Sequence, residues 1–154
     1  MAVRVQAADF DVAQEIAALR AHDPRVGAVV TFIGTVRDVN EDAHVLKMTL
    51  EHYPGMTEKA LDAIVAQARR RFDIYDALVV HRVGDLRPTD QIVLVAVTAA
   101  HRGEAFDACR FIIDYLKTEA PFWKKEQTPG GARWVDARTA DDEAVARWKP
   151  DATT

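Results

Sequence analysis

Two lysines flank a proline in the segment DYLKTEAPFWKKE, and their types and spacing suit proton transfer or the stabilisation of negative charge. Pro121 lacks a backbone donor and disfavours helical geometry in the residue before it, so a helix is predicted to end at Ala120. Lys117 precedes this break, and Lys124 follows it in a segment predicted to be extended. Spacing alone also allows an ordinary alternative, in which both lysines only cover apolar surface or face solvent.

The helix before the break decides where Lys117 lies. Its apolar residues recur at three- and four-residue spacing, which predicts a buried face made of Phe106, Cys109, Ile113 and Leu116. Lys117 follows Ile113 by one helical turn and falls on the margin of that face. Its stem can lie on apolar surface while its ammonium reaches the rim of a pocket.

In the extended segment after the break, successive side chains alternate between two faces. Phe122, Lys124 and Glu126 therefore share one face, and Lys125 is predicted to point the other way. Glu126 could orient Lys124, because carboxylate and ammonium lie on the same face of the strand.

A candidate anion site lies at the start of the same helix, where His101 and Arg102 precede Gly103. A helix N-terminus presents free N–H groups and a partial positive charge, and an arginine can hold a phosphate through paired hydrogen bonds. The alternative is that Arg102 pairs with Glu104 or Asp107 on the surface.

Arg37 is a further candidate for binding an anion. It lies in a polar loop predicted for Gly34–His44, directly after an apolar strand, together with Asp38 and Asn40. A solvated arginine is the ordinary alternative here too.

The rest of the pattern predicts the elements that position these residues. Apolar runs predict strands at Val3–Val5, Gly27–Ile33, Val45–His52, Ala77–Val83, Gln91–Thr98, Phe122–Gln127 and Arg133–Ala137. Helical spacing predicts helices at Asp11–Ala21, Thr57–Phe72 with Thr57 as cap, and Gly103–Ala120. We therefore predict an α+β fold, with a mostly antiparallel sheet and two long helices, in which Gly27–Ile33 is a well-buried strand.

Length, charge and cysteine content limit the class of protein. The 154 residues are predicted to form a single domain, residues 1–154, because no linker or repeat interrupts them. A net charge of -4 argues against nucleic-acid binding, and no apolar run approaches the roughly 20 residues of a membrane helix. The single cysteine excludes an internal disulfide and is consistent with the reducing cytoplasm, where we expect the protein to act.

Several site signatures are absent from the sequence. No CxxC motif or His/Cys cluster has zinc spacing, and no GxxxxGK[ST] loop could cradle a nucleotide, so no metal and no cofactor are predicted. Cys109 lies on the apolar helix face, where a buried thiol is usually inert. His52 and His81 are expected on strands as partly buried, hydrogen-bonded residues.

Six segments of the chain resemble one known family, in the order in which that family carries them. They are GAVVTFIGTVRD (Gly27–Asp38), LEHYPGMTEKAL (Leu50–Leu61), HRVGDLRPTD (His81–Asp90), TAAHRGEAF (Thr98–Phe106), DYLKTEAPFWKKE (Asp114–Glu126) and RWVDAR (Arg133–Arg138). The family is the large, catalytic subunit of molybdopterin synthase, and the resemblance extends from Gly27 to Trp148. It implies an α/β hammerhead-type core with an added sheet, and a homodimer at the centre of a heterotetramer.

The resemblance also implies a reaction. Members of this family convert cyclic pyranopterin monophosphate, a small pterin, into molybdopterin by installing the dithiolene sulfurs. The sulfur arrives as a thiocarboxylate on the C-terminal glycine of a small, ubiquitin-like sulfur-carrier subunit, whose tail enters a pocket of the large subunit. Sulfur would therefore come from the partner and not from Cys109.

Residue roles follow from the same resemblance. Lys117 and Lys124 match the two lysines thought to be central to catalysis, and Lys117 is the better proton carrier because the apolar rim desolvates it in part. The positions that match the pterin and phosphate pocket are Arg37, His101, Arg102 and Arg138. Arg138 is expected to complete the anion site of the other subunit, whereas Phe32 and Tyr115 are better interpreted as packing.

Two other functions stay open on the sequence. One is a binding-only anchor for a ubiquitin-like partner, against which the matching Lys117 and Lys124 argue. The other is an unrelated enzyme that holds a phosphorylated metabolite at the Arg102 helix terminus. The segment DYLKTEAPFW argues against it, because a plain phosphate pocket does not require that segment.

Overall fold

The computed structural model describes residues 2–40, 43–135 and 139–148. Its first sheet consists of β1 (Val3–Gln6), β6 (Asp76–Arg82), β8 (Gln91–Ala99) and β2 (Ala28–Thr35), in that spatial order. β1 pairs with β6 in parallel, and β8 pairs antiparallel with both of its neighbours. β8 is rich in valine and is buried from Val93 to Ala99, as expected of a central strand.

Helices cover both faces of this sheet. The long helices α2 (Met56–Arg71) and α3 (Arg102–Glu119) pack on the face that carries Val79 and Val95, and α1 (Val12–Arg20) packs on the opposite face. The apolar stripes of the long helices form most of the core. Their buried members include Leu61, Ile64, Val65, Ala68, Ala108, Phe111, Ile112 and Leu116.

The chain also forms a second four-stranded sheet. It consists of β10 (Gly131–Val135), β9 (Phe122–Thr128), β5 (Lys47–His52) and β7 (Gly84–Leu86), all paired antiparallel. The predicted hairpin between β6 and β8 is confirmed, and its connection contributes β7 to this second sheet. The predicted loop after β2 contains β3 (Val39–Asn40) and β4 (Ala43–His44), which pair with each other.

The predicted fold class is confirmed: strands and helices mix as α+β, most pairing is antiparallel, and two helices are long. A short helix, α4 (Thr139–Ala146), is not predicted by the sequence pattern, because TADDEAVA carries no clear apolar stripe. Among the described residues, no helix is both long enough and apolar enough to span a membrane.

Trp148 anchors the segment that follows α4 to the long helices. Its Nε1 donates a hydrogen bond to Asp114 Oδ2 over 2.7 Å, and its ring packs edge-on against Phe72 and Phe111. Its backbone carbonyl accepts a hydrogen bond of 2.6 Å from Arg71. These contacts hold the end of the described chain against α3.

The prediction that Gly27–Ile33 is well buried is wrong. β2 is an edge strand of the first sheet, and Phe32 and Ile33 are 37% and 40% exposed. A continuous apolar run does not distinguish a central strand from an edge strand, because pairing partners are not encoded locally. The interpretation of Phe32 as a packing residue is therefore not supported, whereas Tyr115 does pack against Phe111.

The predicted buried face of α3 is confirmed at Cys109 and Leu116, but it is wrong at Phe106. Phe106 is 58% exposed, whereas Ala105, Ala108 and Cys109 are buried. Small residues let the helix approach the sheet closely, and the pattern of large apolar residues alone did not reveal this contact.

Thr57 does not cap α2 as predicted. Gly55 holds the cap position with φ 87°, and its N–H donates to Glu58 Oε2 over 3.0 Å. Thr57 lies inside the first turn, where its hydroxyl accepts from the Tyr53 N–H and donates to the Pro121 carbonyl, each over 3.1 Å. Thr57 thereby ties the start of α2 to the break after α3.

Candidate active site

The break after α3 brings both candidate lysines to one cavity. α3 ends at Glu119, Ala120 is extended with ψ 131°, and β9 begins at Phe122, so the break predicted at Pro121 is confirmed. The cavity has a volume of about 360 Å³. Its polar and charged lining includes Arg37, Asn40, His81, Lys117, Lys124, Glu126 and Asp141. We call it the lysine cavity.

β9 presents alternate side chains to the lysine cavity. Phe122, Lys124 and Glu126 line it, whereas Lys125 lies on the other face, with Nζ 5.7 Å from the centre of the Trp134 ring. Pairing of β9 with β5 on one side and with β10 on the other fixes this register. A slip of one residue would exchange Lys124 for Lys125 at the cavity.

Lys117 reaches the cavity from the last turn of α3. The preceding residue, Leu116, is buried in the core and also lines the cavity, so Lys117 lies on the rim that the helical spacing predicts. Its side chain is exposed to solvent in the single chain, and Lys124 is half-buried.

Arg37 reaches the same cavity from the turn after β2. The preceding residue, Val36, is buried and joined to the next loop by two backbone hydrogen bonds of 2.9 Å, one to the Asp90 carbonyl and one from the Thr89 N–H. These bonds fix the backbone that carries Arg37, although its side chain is exposed. The cavity thus gathers one guanidinium and two ammonium groups.

Glu126 is buried, and two side chains other than Lys124 hold its carboxylate. Asn40 Nδ2 lies 3.1 and 3.0 Å from the two carboxylate oxygens, and an Arg133 nitrogen lies 3.1 Å from Oε1. Arg133 also donates to the Asn40 carbonyl over 2.8 Å. Because a buried carboxylate is costly without hydrogen-bonding partners, Asn40 and Arg133 stabilise Glu126 at the cavity wall. Its predicted role in orienting Lys124 stays a prediction.

Sequence reasoning missed Asn40 and Arg133 as site residues. Arg133 could have been found from the predicted hairpin, because it lies directly opposite Glu126 in the register of β9 and β10. Asn40 is far from Glu126 in sequence, and no local signal connects the two.

His81 was predicted as a structural histidine, and the structure places it in the cavity wall. Its ring stacks on Phe122 with centroids 3.9 Å apart, and its Nδ1 lies 2.8 Å from the Arg82 carbonyl oxygen. Burial, with smaller contributions from the charges of Lys117 and His52, lowers the pKa of His81 to about 4. The ring is therefore neutral at neutral pH.

His101 and Arg102 lie at the opposite end of α3 from the lysine cavity. Both are exposed, and neither lines that cavity. Glu104, the sequence alternative as a partner for Arg102, accepts a hydrogen bond from the Asp73 N–H over 2.9 Å. The predicted phosphate-binding role of His101 and Arg102 stays a prediction, and Arg138 lies outside the described residues.

Cys109 is buried in the core between α3 and β8. Its thiol lies 3.9 Å from the Val95 carbonyl, and burial raises its pKa to about 12. A thiol that is both protonated and inaccessible cannot act as a nucleophile, which supports the prediction that Cys109 carries no sulfur. Within the described parts of the chain, no cluster of three or more His, Cys, Asp and Glu could hold a metal ion.

Comparison with known proteins identifies the family. The family model described as MoaE protein matches residues 5–119, which is most of the chain. This chain belongs to the MoaE family. A relative from Ralstonia nicotianae, a molybdopterin synthase catalytic subunit, is 69% identical over 146 residues, covering 95% of this chain and 83% of the relative.

Solved structures agree with MoaE membership. The molybdopterin biosynthesis MoaE protein from Burkholderia ambifaria is 61% identical, with a TM-score of 0.83 and coverage of 96% of this chain and 98% of the other. This chain also shares its fold with a chain in the complex of subunits 1 and 2 of molybdopterin-converting factor from Helicobacter pylori. The two are 18% identical with a TM-score of 0.73, and the match covers 90% of this chain and 92% of the other. The MoaE family match includes Lys117, and the longer match to the Ralstonia relative covers nearly all of this chain.

Proposed function

We propose that this MoaE family member is the catalytic subunit of a molybdopterin synthase. It transfers sulfur from the C-terminal thiocarboxylate of a small, ubiquitin-like carrier subunit to cyclic pyranopterin monophosphate and forms the dithiolene of molybdopterin. The observation that carries the proposal is the convergence of Arg37, Lys117 and Lys124 on one cavity, in a chain 69% identical to a protein described as such a subunit.

The reaction requires positive charge and proton transfer. The pterin phosphate and the carrier thiocarboxylate are both anions. When the thiocarboxylate sulfur bonds to a carbon of the pterin, a carbon–oxygen bond at that carbon breaks, and the oxygen leaves as water or on the phosphate. The carrier stays attached through an acyl group, and water must cleave the acyl–sulfur bond because the carrier leaves as a carboxylate. Cleavage passes through an oxyanion, and it needs a proton acceptor for water and a proton donor for the sulfur that is released.

The lysine cavity supplies groups for both needs. Lys117, on the rim, moves protons between water and the departing sulfur, and Lys124, from the strand in the wall, stabilises the oxyanion. Arg37 adds a guanidinium that can pair with an anionic group of the substrate. Because Arg133 offsets the charge of Glu126, that carboxylate does not cancel the attraction of the cavity for anions.

The cavity volume of about 360 Å³ lies within the range expected for a small-molecule site. It suits the pterin with the end of a narrow peptide tail rather than a folded partner. A tail that ends in glycine fits this restriction, because it brings no side chain into the cavity.

The phosphate of the substrate is bound by residues from two copies of the chain. His101, Arg102 and Arg138 of one copy complete the anion site whose lysines belong to the other. The proposal therefore includes a homodimer at the centre of a heterotetramer, with each chain forming one domain. It also places the protein in the cytoplasm, with which a lone buried cysteine is consistent.

The test is reconstitution from purified components. The wild-type chain is mixed with a thiocarboxylated carrier and cyclic pyranopterin monophosphate, and molybdopterin is assayed, with a carrier ending in an ordinary carboxylate as control. We expect product only with the thiocarboxylate. Carrier binding without product would support a binding-only anchor, and conversion that does not depend on the carrier would support an unrelated enzyme.

A further inference from the structure

His81 is held in one orientation by two contacts that do not involve the lysines. The ring of Phe122 stacks on it with an interplanar angle of 19°, and the carbonyl oxygen of Arg82 lies 2.8 Å from Nδ1. A carbonyl oxygen can only accept, so Nδ1 carries the proton in the neutral ring. The other nitrogen, Nε2, is then left with a lone pair in a ring that lines the lysine cavity.

Several titratable groups surround His81 and could interact with the Nε2 lone pair. Lys117 belongs to α3, and its charge acts on the His81 ring. His52 belongs to β5, and its Nε2 lies 4.0 Å from Glu58. The buried carboxylate in the cavity wall, Glu126, already accepts from Asn40 and Arg133. The remaining carboxylate of the described lining is Asp141, which comes from α4.

We propose that His81 is a positioning residue, whose neutral Nε2 accepts a hydrogen bond from the ammonium of Lys117 and directs that group toward the reacting atoms. This inference rests on the proposed function. It adds a residue to the lysine pair that neither the sequence pattern nor the family resemblance singled out.

A neutral acceptor suits a lysine that must give up its proton. A carboxylate beside an ammonium stabilises the charged form and holds the proton on the lysine. An imidazole accepts the same hydrogen bond without adding a negative charge. Since burial keeps the pKa of His81 at about 4, the ring itself does not take up the proton at neutral pH.

Three variants distinguish the loss of the hydrogen-bond acceptor from the loss of the volume that the His81 ring fills. His81→Gln offers an acceptor oxygen at a similar reach, His81→Asn keeps only a shorter side chain, and His81→Phe keeps the stacking surface but neither nitrogen. We expect kcat to fall about 10- to 100-fold in the Asn and Phe variants, the range for one hydrogen bond to a charged group, and to recover largely in Gln. The KM for the carrier should change only a few-fold in all three.

The pH profile of kcat gives a second measurement. Because His81 does not ionise near neutral pH, the Gln variant should keep every limb of the wild-type profile. Loss of a limb between pH 6 and 7, on the order of the ordinary histidine pKa, would mean that His81 itself exchanges a proton, and the positioning role would be wrong. A fall in kcat in Asp141→Asn with none in the His81 variants would also overturn it.

Nitrogen NMR of the histidine rings tests the hydrogen bond without any turnover. We expect His81 to be protonated at Nδ1 and free of a proton at Nε2 from about pH 5.5 to 8, and its Nε2 signal to shift in Lys117→Ala. An Nε2 signal that is unchanged by that substitution contradicts the inference. A wild-type protein that makes no molybdopterin would instead refute the proposed function and leave this measurement valid.

Discussion

The two ends of α3 carry candidate functional residues in very different surroundings. At the C-terminal end, Lys117 meets residues from β2, β6 and β9 in one cavity. At the N-terminal end, His101 and Arg102 are exposed and do not line that cavity. A helix rises about 22 Å from position 102 to position 117, which is too far for one small pterin to span. Under the proposed function, the C-terminal end of α3 is the catalytic end, which is assembled within one chain. The N-terminal end is then the anion-binding end, and it would serve the cavity of another copy.

The largest effect is expected at the catalytic end. Lys117→Ala should lower the rate of product formation by about 10² to 10⁴, because a positioned proton-transfer group is lost. Binding of the carrier should stay within a few-fold. Initial rates and carrier affinity measured on the purified variant check this expectation.

Lys125→Ala is the matched control, since Lys125 lies close to Lys124 in sequence but on the opposite face of β9. Its rate should remain near that of the wild type, whereas Lys124→Ala should be severely impaired. Equal losses in the two variants would refute the assignment of the strand faces.

The lowered pKa of His81 makes the free energy of unfolding of the chain depend on pH. The pKa of His81 is about 4 in the folded chain and 6.5 in its unperturbed state, so the unfolded chain binds the extra proton between these values. This contribution is complete above pH 6.5 and is lost as the pH falls toward 4. Wild type should lose up to about 3 kcal/mol more of its free energy of unfolding than His81→Gln over this interval. Denaturant unfolding of both proteins at several pH values measures the difference, and parallel curves would contradict it.

A smaller effect is expected at the anion-binding end. Arg102→Ala should raise the apparent KM for the pterin by about 10- to 100-fold through loss of charge-assisted hydrogen bonds, and lower kcat less. Steady-state kinetics with varied pterin concentration test this. An unchanged KM would make Arg102 an ordinary surface residue and remove the functional contrast between the ends of α3.

A substitution in the middle of α3 should have little effect on catalysis. Cys109→Ala should keep most of the activity and cost about 1 kcal/mol of stability through a small cavity. Activity assays and denaturant unfolding of the variant give both quantities. A folded variant that cannot transfer sulfur would make Cys109 a carrier after all.

The C-terminal end of α3 was predictable because local chemistry determines it. Pro121 disfavours helical geometry in the residue before it, and strand alternation places Lys124 and Glu126 on one face without tertiary information. The long helices and the hairpin of β6 and β8 follow from periodicities that are equally local.

Long-range pairing accounts for what the sequence did not reveal. Asn40 and His81 enter the cavity wall only when β3 and β6 meet β9, and β2 is an edge strand only because nothing described pairs with its outer side. Phe106 was misassigned because alanines, rather than large residues, form the close contact between α3 and the sheet.

Subunit mixing tests most directly whether the ends of α3 from two copies build one site. Lys117→Ala and Arg102→Ala should each be nearly inactive alone at low pterin concentration. If the site is shared, a mixed dimer has one site with both defects and one intact site, so it should regain up to about half of wild-type activity. The same mixture with Arg138→Ala tests that residue. If each arginine serves the cavity of its own chain, every site in the mixture carries one defect, and activity that stays at the level of the separate variants would contradict the account.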